Sequence, residues 1–120
     1  MESLTYENLV PRLVEALPEV PMDPESVSDN LTYLVFNDLM RFVNTTVEAD
    51  GDARILAKIF RFIEEVARTK DVQVQDVLQD CLYTVAVAPA DNAKRYMGPN
   101  TQKVFRDVEA QIYQRYSDGR

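Results

Sequence analysis

Apolar residues recur every three or four positions through most of this 120-residue chain. That spacing lines them up along one side of an α-helix, which has about 3.6 residues per turn, whereas no segment shows the alternation expected of a strand. Only 3 glycines and 6 prolines interrupt the pattern, which favours long regular elements over a loop-rich β-fold. The sequence therefore predicts an all-α protein.

Turn-forming and capping residues separate the predicted helices, which cover residues 5–17, 30–47, 53–69, 71–86, 91–97 and 99–116. Between the first two lies a linker rich in prolines and acids, with one short turn after Pro24. Ser28 or Asp29 is the predicted N-cap of the second helix, and Asp50 or Asp52 that of the third.

These elements predict a single domain over residues 1–120, with an acidic, proline-containing section at 1–29 and a helical core at 30–116. Because only a tight turn joins the third and fourth helices, we expect an antiparallel αα-hairpin. The predicted architecture is five or six helices arranged as such hairpins, in a compact bundle or in a HEAT-like or armadillo-like stack.

Asp38 lies on an apolar side of the second helix. One stripe of that helix contains Leu31, Leu34, Val35, Leu39 and Phe42, and an adjoining stripe contains Phe36, Met40, Val43 and Val47. Asp38 projects onto the first stripe, and burying a bare carboxylate is costly. We therefore predict a structural buried acid that pairs with Arg41 or another base, or caps a helix, with catalysis as the alternative.

The residue types usual in enzyme active sites are scarce. The chain has no histidine, which removes His-based acid–base chemistry and the commonest metal ligand. Its one cysteine, Cys81, lies within an apolar helical stripe, where a buried thiol fills the core. Glu64 and Glu65 fall on a polar helix face among arginines, which predicts a solvated ion-pair face. We expect no catalytic residue, and hence no enzyme.

Two further segments resemble ligand sites only in part. Glu48, Asp50 and Asp52 alternate as at the start of a calcium loop, but Ala53 and Ile59 replace the glycine and the closing acid. The segment RYMGPNTQKVF (95–105) lacks the glycines of a phosphate loop. Gly98 is instead predicted to end one helix with positive φ, and Pro99 to begin the next. No metal or cofactor is expected.

The chain has a net charge of −7, and acidic residues are concentrated in its first half. Residues 1–52 hold 11 acids and 2 bases, whereas residues 53–120 hold 9 acids and 11 bases. Such asymmetry disfavours nucleic acid and anionic membranes as partners and favours a basic protein, although acids also serve solubility. There is no signal-peptide pattern and no apolar run long enough to cross a membrane, which predicts a cytoplasmic protein.

Four segments occur in the order found in an uncharacterised family of small bacterial all-helical proteins: LVFNDLMRFV (34–43), ILAKIFRFIEEVA (55–67), VQVQDVL (72–78) and AKRYMGPNT (93–101). The chain resembles that family over residues 30–116. Asn37 stands where the family often has glycine, while Asp38 and its neighbours match. The resemblance implies an all-α fold and no established activity. Small acidic members resemble immunity proteins, which neutralise a toxin by binding it.

Charge and resemblance together predict a non-enzymatic protein-binding domain, specifically an immunity protein for a basic toxin such as a nuclease. The predicted docking surface consists of six acids: Asp23, Glu25, Asp29, Glu48, Asp50 and Asp52. The competing prediction is a helical adaptor or a homodimeric regulatory protein. If Phe36, Met40 and Val47 are exposed in the monomer, they would form the dimer surface.

Overall fold

The computed structural model describes residues 3–88 and 91–118, and within those ranges it contains helices and no strand. The all-α prediction is therefore confirmed. The described ranges hold seven helices rather than five or six, because the short turn predicted after Pro24 forms a helix of its own. They are α1 (Leu9–Ala16), α2 (Pro24–Ser28), α3 (Thr32–Glu48), α4 (Ala53–Ala67), α5 (Val72–Ala86), α6 (Asp91–Lys94) and α7 (Pro99–Asp118).

Helix α5 lies at the centre of the packing. It contacts α3 most extensively, α7 next and α4 third, while α7 also packs on α4. Its core stripe is fully buried and comprises Val74, Val77, Leu78, Cys81, Leu82 and Val85. The radius of gyration is 14.0 Å, close to the roughly 13.6 Å expected for a compact domain of this length. The helices therefore surround one core as a compact bundle.

Aspartates begin both helices of the α4–α5 pair. The Oδ1 atom of Asp52 accepts the N–H of Arg54 at 2.9 Å. Likewise, Asp71 Oδ1 accepts the N–H groups of Gln73 and Val74 at 2.9 and 3.2 Å. Each carboxylate satisfies N–H groups that a helix start leaves without an intrahelical partner. The sequence predicted either Asp50 or Asp52 as the cap of this helix, and Asp52 is confirmed as the N-cap of α4.

The start of α3 differs from the prediction. The helix begins at Thr32 rather than Asn30, and its N-cap residue, Leu31, makes no side-chain capping bond. Ser28 and Asp29 instead end α2, where the Asp29 N–H donates to the Glu25 carbonyl at 2.9 Å. Asn30 turns the chain with a φ of 54°, a left-handed conformation that asparagine tolerates. The capping prediction for Ser28 and Asp29 is therefore wrong.

The buried side of α3 takes residues from both predicted stripes, since Val35 and Leu39 of the first stripe are buried beside the second. Phe36, Met40 and Val43 are fully buried. Leu31 and Leu34, from the first stripe, are 45% and 46% exposed. Because Phe36 and Met40 pack in the core and Val47 is half-buried, the dimer surface predicted on these three residues is not available.

Candidate functional site

The six acids predicted to bind a partner lie in two groups. Asp23, Glu25 and Asp29, the α2 acids, precede α3, while Glu48, Asp50 and Asp52, the loop acids, follow its last turn. All six are exposed. At 1.5 Å per residue, the 17-residue helix α3 separates its two ends by about 24 Å. Asp29, just before this helix, and Glu48, its last residue, are therefore not neighbours.

Several of these acids also shape the backbone. Asp23 Oδ2 accepts the Ser26 hydroxyl at 2.8 Å, Asp52 caps α4, and Asp50 has a φ of 51° where the chain leaves α3. Within residues 3–88 and 91–118, however, none of the six acids forms an ion pair with a lysine or arginine. Their negative charges are thus left for solvent or a partner.

Asp38 is paired but not buried. Its Oδ1 lies 2.6 Å from Arg41 Nη1, as one of the predicted pairings required, and its side chain remains 32% exposed. The burial prediction is wrong because the core side of α3 is centred near Phe36 and Met40, which turns Asp38 toward the rim of the helix. An accessible ion pair one helical turn apart is a surface feature and carries no chemistry of its own.

Glu64 has a structural role that its helix face did not indicate. Its Oε1 accepts the N–H and the hydroxyl of Thr101 at 2.9 and 2.8 Å. Oε2 accepts the backbone N–H and the side-chain amide of Asn100 at 3.0 and 2.8 Å. Partial burial alone would raise the pKa of Glu64, but these four bonds outweigh it and hold the pKa below its ordinary value.

The Glu64 carboxylate therefore caps the start of α7 from a different helix. N–H groups at a helix start are open to an anion, and here that anion is a side chain of the same protein. The interpretation of Glu64 as part of a solvated ion-pair face is wrong, since α7 packs against that side of α4. Its neighbour Glu65 is exposed, as predicted.

Gly98 is needed for space rather than for backbone conformation. Its φ is not positive, which corrects the prediction of a left-handed helix end. A Cβ atom built on Gly98 would lie 2.5 Å from both Cδ and Oε1 of Glu64. Met97, just before it, is buried, and the Tyr96 ring stacks on Phe60 with centroids 6.4 Å apart. The segment 96–101 is thus fitted against α4 by packing and by the Glu64 bonds.

Cys81 is a core residue. It is fully buried, its thiol lies 3.3 Å from the Leu78 carbonyl oxygen, and burial raises its pKa far above the ordinary value. A thiol that does not ionise is a poor nucleophile. In the part of the chain that the structure describes, no group of three or more acids and cysteines is arranged to hold a metal ion.

A groove between α3, α5 and α7 brings together residues that the sequence did not single out. This tyrosine groove has a volume of about 450 Å³ and is lined by Tyr33, Asp76, Gln79, Asp80, Tyr83, Val108, Gln111, Ile112 and Arg115. Tyr33 and Tyr83 are 40% and 41% exposed. Asp80 accepts the Asn37 side-chain amide at 2.6 Å, and Asn37 in turn accepts the Thr84 hydroxyl at 2.7 Å.

A larger groove lies elsewhere and has mixed charge. It has a volume of about 740 Å³ and is lined by Glu19, Phe42, Asp52, Arg54, Ile55, Ala57, Lys58 and Arg61. Lys58 Nζ lies 2.9 Å from a Glu19 carboxylate oxygen, and this bond lowers the pKa of Glu19. Two acids and three bases line this surface, so it presents no single charge to a ligand.

Bundle, caps and grooves together define a compact all-helical domain in which the identified polar contacts hold helices in place. The chain belongs to the family described as a domain of unknown function, DUF7674, whose model matches residues 10–114. No curated protein and no solved structure matches it. Among the described residues, no helix combines the length and hydropathy needed to cross a bilayer.

Proposed function

We propose that this chain is a non-enzymatic, cytoplasmic protein-binding domain that acts on a basic partner. The observation that carries the proposal is the state of the six predicted acids. All are exposed, and within the described ranges no base of the chain neutralises them through an ion pair. Uncompensated acids attract a basic surface, speed its encounter and disfavour acidic partners.

Among basic partners, we favour a toxin domain such as a nuclease, which makes the chain a bacterial immunity protein. The resemblance of small acidic helical proteins to toxin-neutralising proteins supports this choice. The electrostatics support it as well, because an acidic surface can occlude a basic active site without any chemistry of its own. Exposed acids that flank both ends of α3 in sequence suit a broad basic surface better than a small pocket.

The test is growth protection in cells that produce a basic toxin domain encoded beside this chain's gene. The structure shapes the variants, since Asp52 caps α4 and Asp50 has positive φ. Asn keeps the capping oxygen and tolerates that backbone. Two triple variants neutralise the loop acids (E48Q/D50N/D52N) and the α2 acids (D23N/E25Q/D29N), and at least one of them should reduce protection. Association of the wild-type chain with the toxin domain should weaken as salt is raised.

A matched control removes three charges elsewhere, as E65Q/D71N/D107N. It includes another capping aspartate, Asp71, and two exposed acids, and it should leave protection intact. Equal loss in the control and in both test variants would contradict a role for these acids. If the chain gives no protection, or if its gene has no toxin-like neighbour, the immunity function is wrong.

A second candidate, a helical adaptor or a homodimeric regulatory protein, is favoured by a different observation. Leu31, Leu34 and Tyr33 near the start of α3 are each at least 40% exposed, and exposed apolar side chains of this kind occur at protein interfaces. The α4–α5 pair is also the kind of hairpin that HEAT-like and armadillo-like adaptors repeat. Sedimentation of wild type and L31K/L34K tests this, because only a dimer through these residues would become monomeric.

A further inference from the structure

We propose that the tyrosine groove is a docking site for a basic segment of the protein partner, with an arginine side chain held between Tyr33, Tyr83 and the Asp76 carboxylate. The inference deepens the proposed function, since both require a basic partner, but it rests on residues outside the six acids. In this proposal the tyrosine groove gives specificity for the partner, whereas the six acids give long-range attraction.

Two tyrosine rings form the aromatic walls of the groove. Tyr33 on α3 and Tyr83 on α5 line the same groove, and both rings remain about two-fifths exposed. The Tyr6 ring packs against Tyr33, with centroids 6.3 Å apart and planes tilted by 50°. A guanidinium group stacks on tyrosine faces through cation–π attraction and is weakly hydrated, so it leaves water readily.

The groove also contains two acids, Asp76 and Asp80. Asp76 makes no hydrogen bond or ion pair to any other residue of the described ranges. One carboxylate oxygen of Asp80 accepts a hydrogen bond from the Asn37 side-chain amide. This bond holds Asp80 in place on the groove wall. Burial raises the pKa of Tyr33, and the negative charges of Asp76 and Asp80 raise it further. The groove is therefore a region of negative potential with a neutral phenol at its edge.

The α7 wall sets the orientation. Ile112 and Val108 contribute apolar surface, and Arg115 is the one cation among the lining residues. Arg115 forms no ion pair with Asp76 or Asp80, so both carboxylates remain open to a guest. A bound arginine would place its methylene stem on the apolar wall and its charged end between the tyrosines and Asp76, away from Arg115.

The experiment titrates the full-length, isotope-labelled chain with a short peptide of alternating glycine and arginine, followed by amide chemical shifts. The comparison peptide replaces each arginine with citrulline, which has nearly the same shape but no charge. We expect saturable shifts around Tyr33, Asp76 and Tyr83 with the arginine peptide only. D76N/Y83L should weaken binding by about two- to fivefold for each interaction removed.

The matched control is D107N/Y113L, which removes one exposed acid and one exposed tyrosine from α7 outside the groove lining. It should bind the arginine peptide as wild type does. Shifts confined to the α2 or loop acids, or affinity that both double variants reduce equally, would overturn the groove proposal and leave the proposed function standing. Binding of the arginine peptide in the groove without any toxin protection would overturn the proposed function and leave the groove proposal standing.

Discussion

The carboxylate of Glu64 in α4 accepts both the backbone N–H and the hydroxyl of Thr101 in α7, at 2.9 and 2.8 Å. Thr101 is fully buried, whereas Glu64 is half-buried, so these bonds are partly screened from water. The other carboxylate oxygen holds Asn100. One side chain thus fixes the start of the last helix on the bundle, although 36 residues separate the partners in sequence.

Replacing Glu64 with glutamine should destabilise the fold by about 1–3 kcal/mol, because the neutral amide loses the charge-assisted bonds and places a donor near donors. Urea unfolding followed by circular dichroism measures the change. Glu65→Gln is the control, since that side chain is exposed, and it should fall within about 0.5 kcal/mol of wild type. Similar losses in the two variants would contradict the capping role.

The same carboxylate predicts an acid dependence of stability. Its pKa is lowered in the folded protein from an ordinary value of 4.5, so the folded state favours the ionised form. The stabilisation from Glu64 is therefore complete above the unfolded pKa and disappears as pH falls through the lower folded pKa. The stability difference between wild type and Glu64→Gln, measured from neutral pH downward, should shrink below about pH 4.5. A difference that is constant to lower pH would contradict this.

Gly98→Ala should destabilise the protein by about 1–3 kcal/mol through overlap with Glu64. The nearest atoms to the added methyl group all belong to the Glu64 side chain. In a Glu64→Ala background the same glycine substitution should therefore cost much less, and a double-mutant cycle of unfolding free energies measures this coupling. Additive effects would show that the glycine is required for another reason.

The orientation of α3 predicts unequal costs for two neighbouring substitutions. Phe36 is fully buried and its ring lies 6.5 Å from that of Phe62, so Phe36→Ala should cost about 3–5 kcal/mol. Leu34 is 46% exposed, so Leu34→Ala should cost below about 1 kcal/mol. Chemical denaturation of both variants distinguishes this orientation from one in which Leu34 faces the core.

Cys81 should be unreactive in the folded protein. Its burial raises the pKa of the thiol, and both the low thiolate fraction and the lack of access slow attack on a disulfide reagent. A colorimetric thiol assay should show no release under native conditions and one equivalent in denaturant. Rapid native labelling would contradict the core position of this residue.

Local patterns were sufficient for much of the fold. Helical spacing predicted the long elements, the short turn before Asp71 predicted the α4–α5 pair, and Asp52 was among the two predicted caps of α4. These features depend on residues a few positions apart, so they can be derived from sequence alone. The charge asymmetry between the two halves is likewise a property of sequence.

Contacts between distant helices decided the rest. The apolar residues of α3 look alike in sequence, but packing of the helix buries Phe36 and Leu39 and leaves Leu34 exposed. Glu64 and Glu65 are equally polar neighbours, yet the position of α7 gives Glu64 four hydrogen bonds and leaves Glu65 in solvent. The GPNT segment was distinctive in sequence, but its role became clear only beside Glu64. Helix formation is a local property, whereas the partner of each helix face is set by the packing of the whole chain.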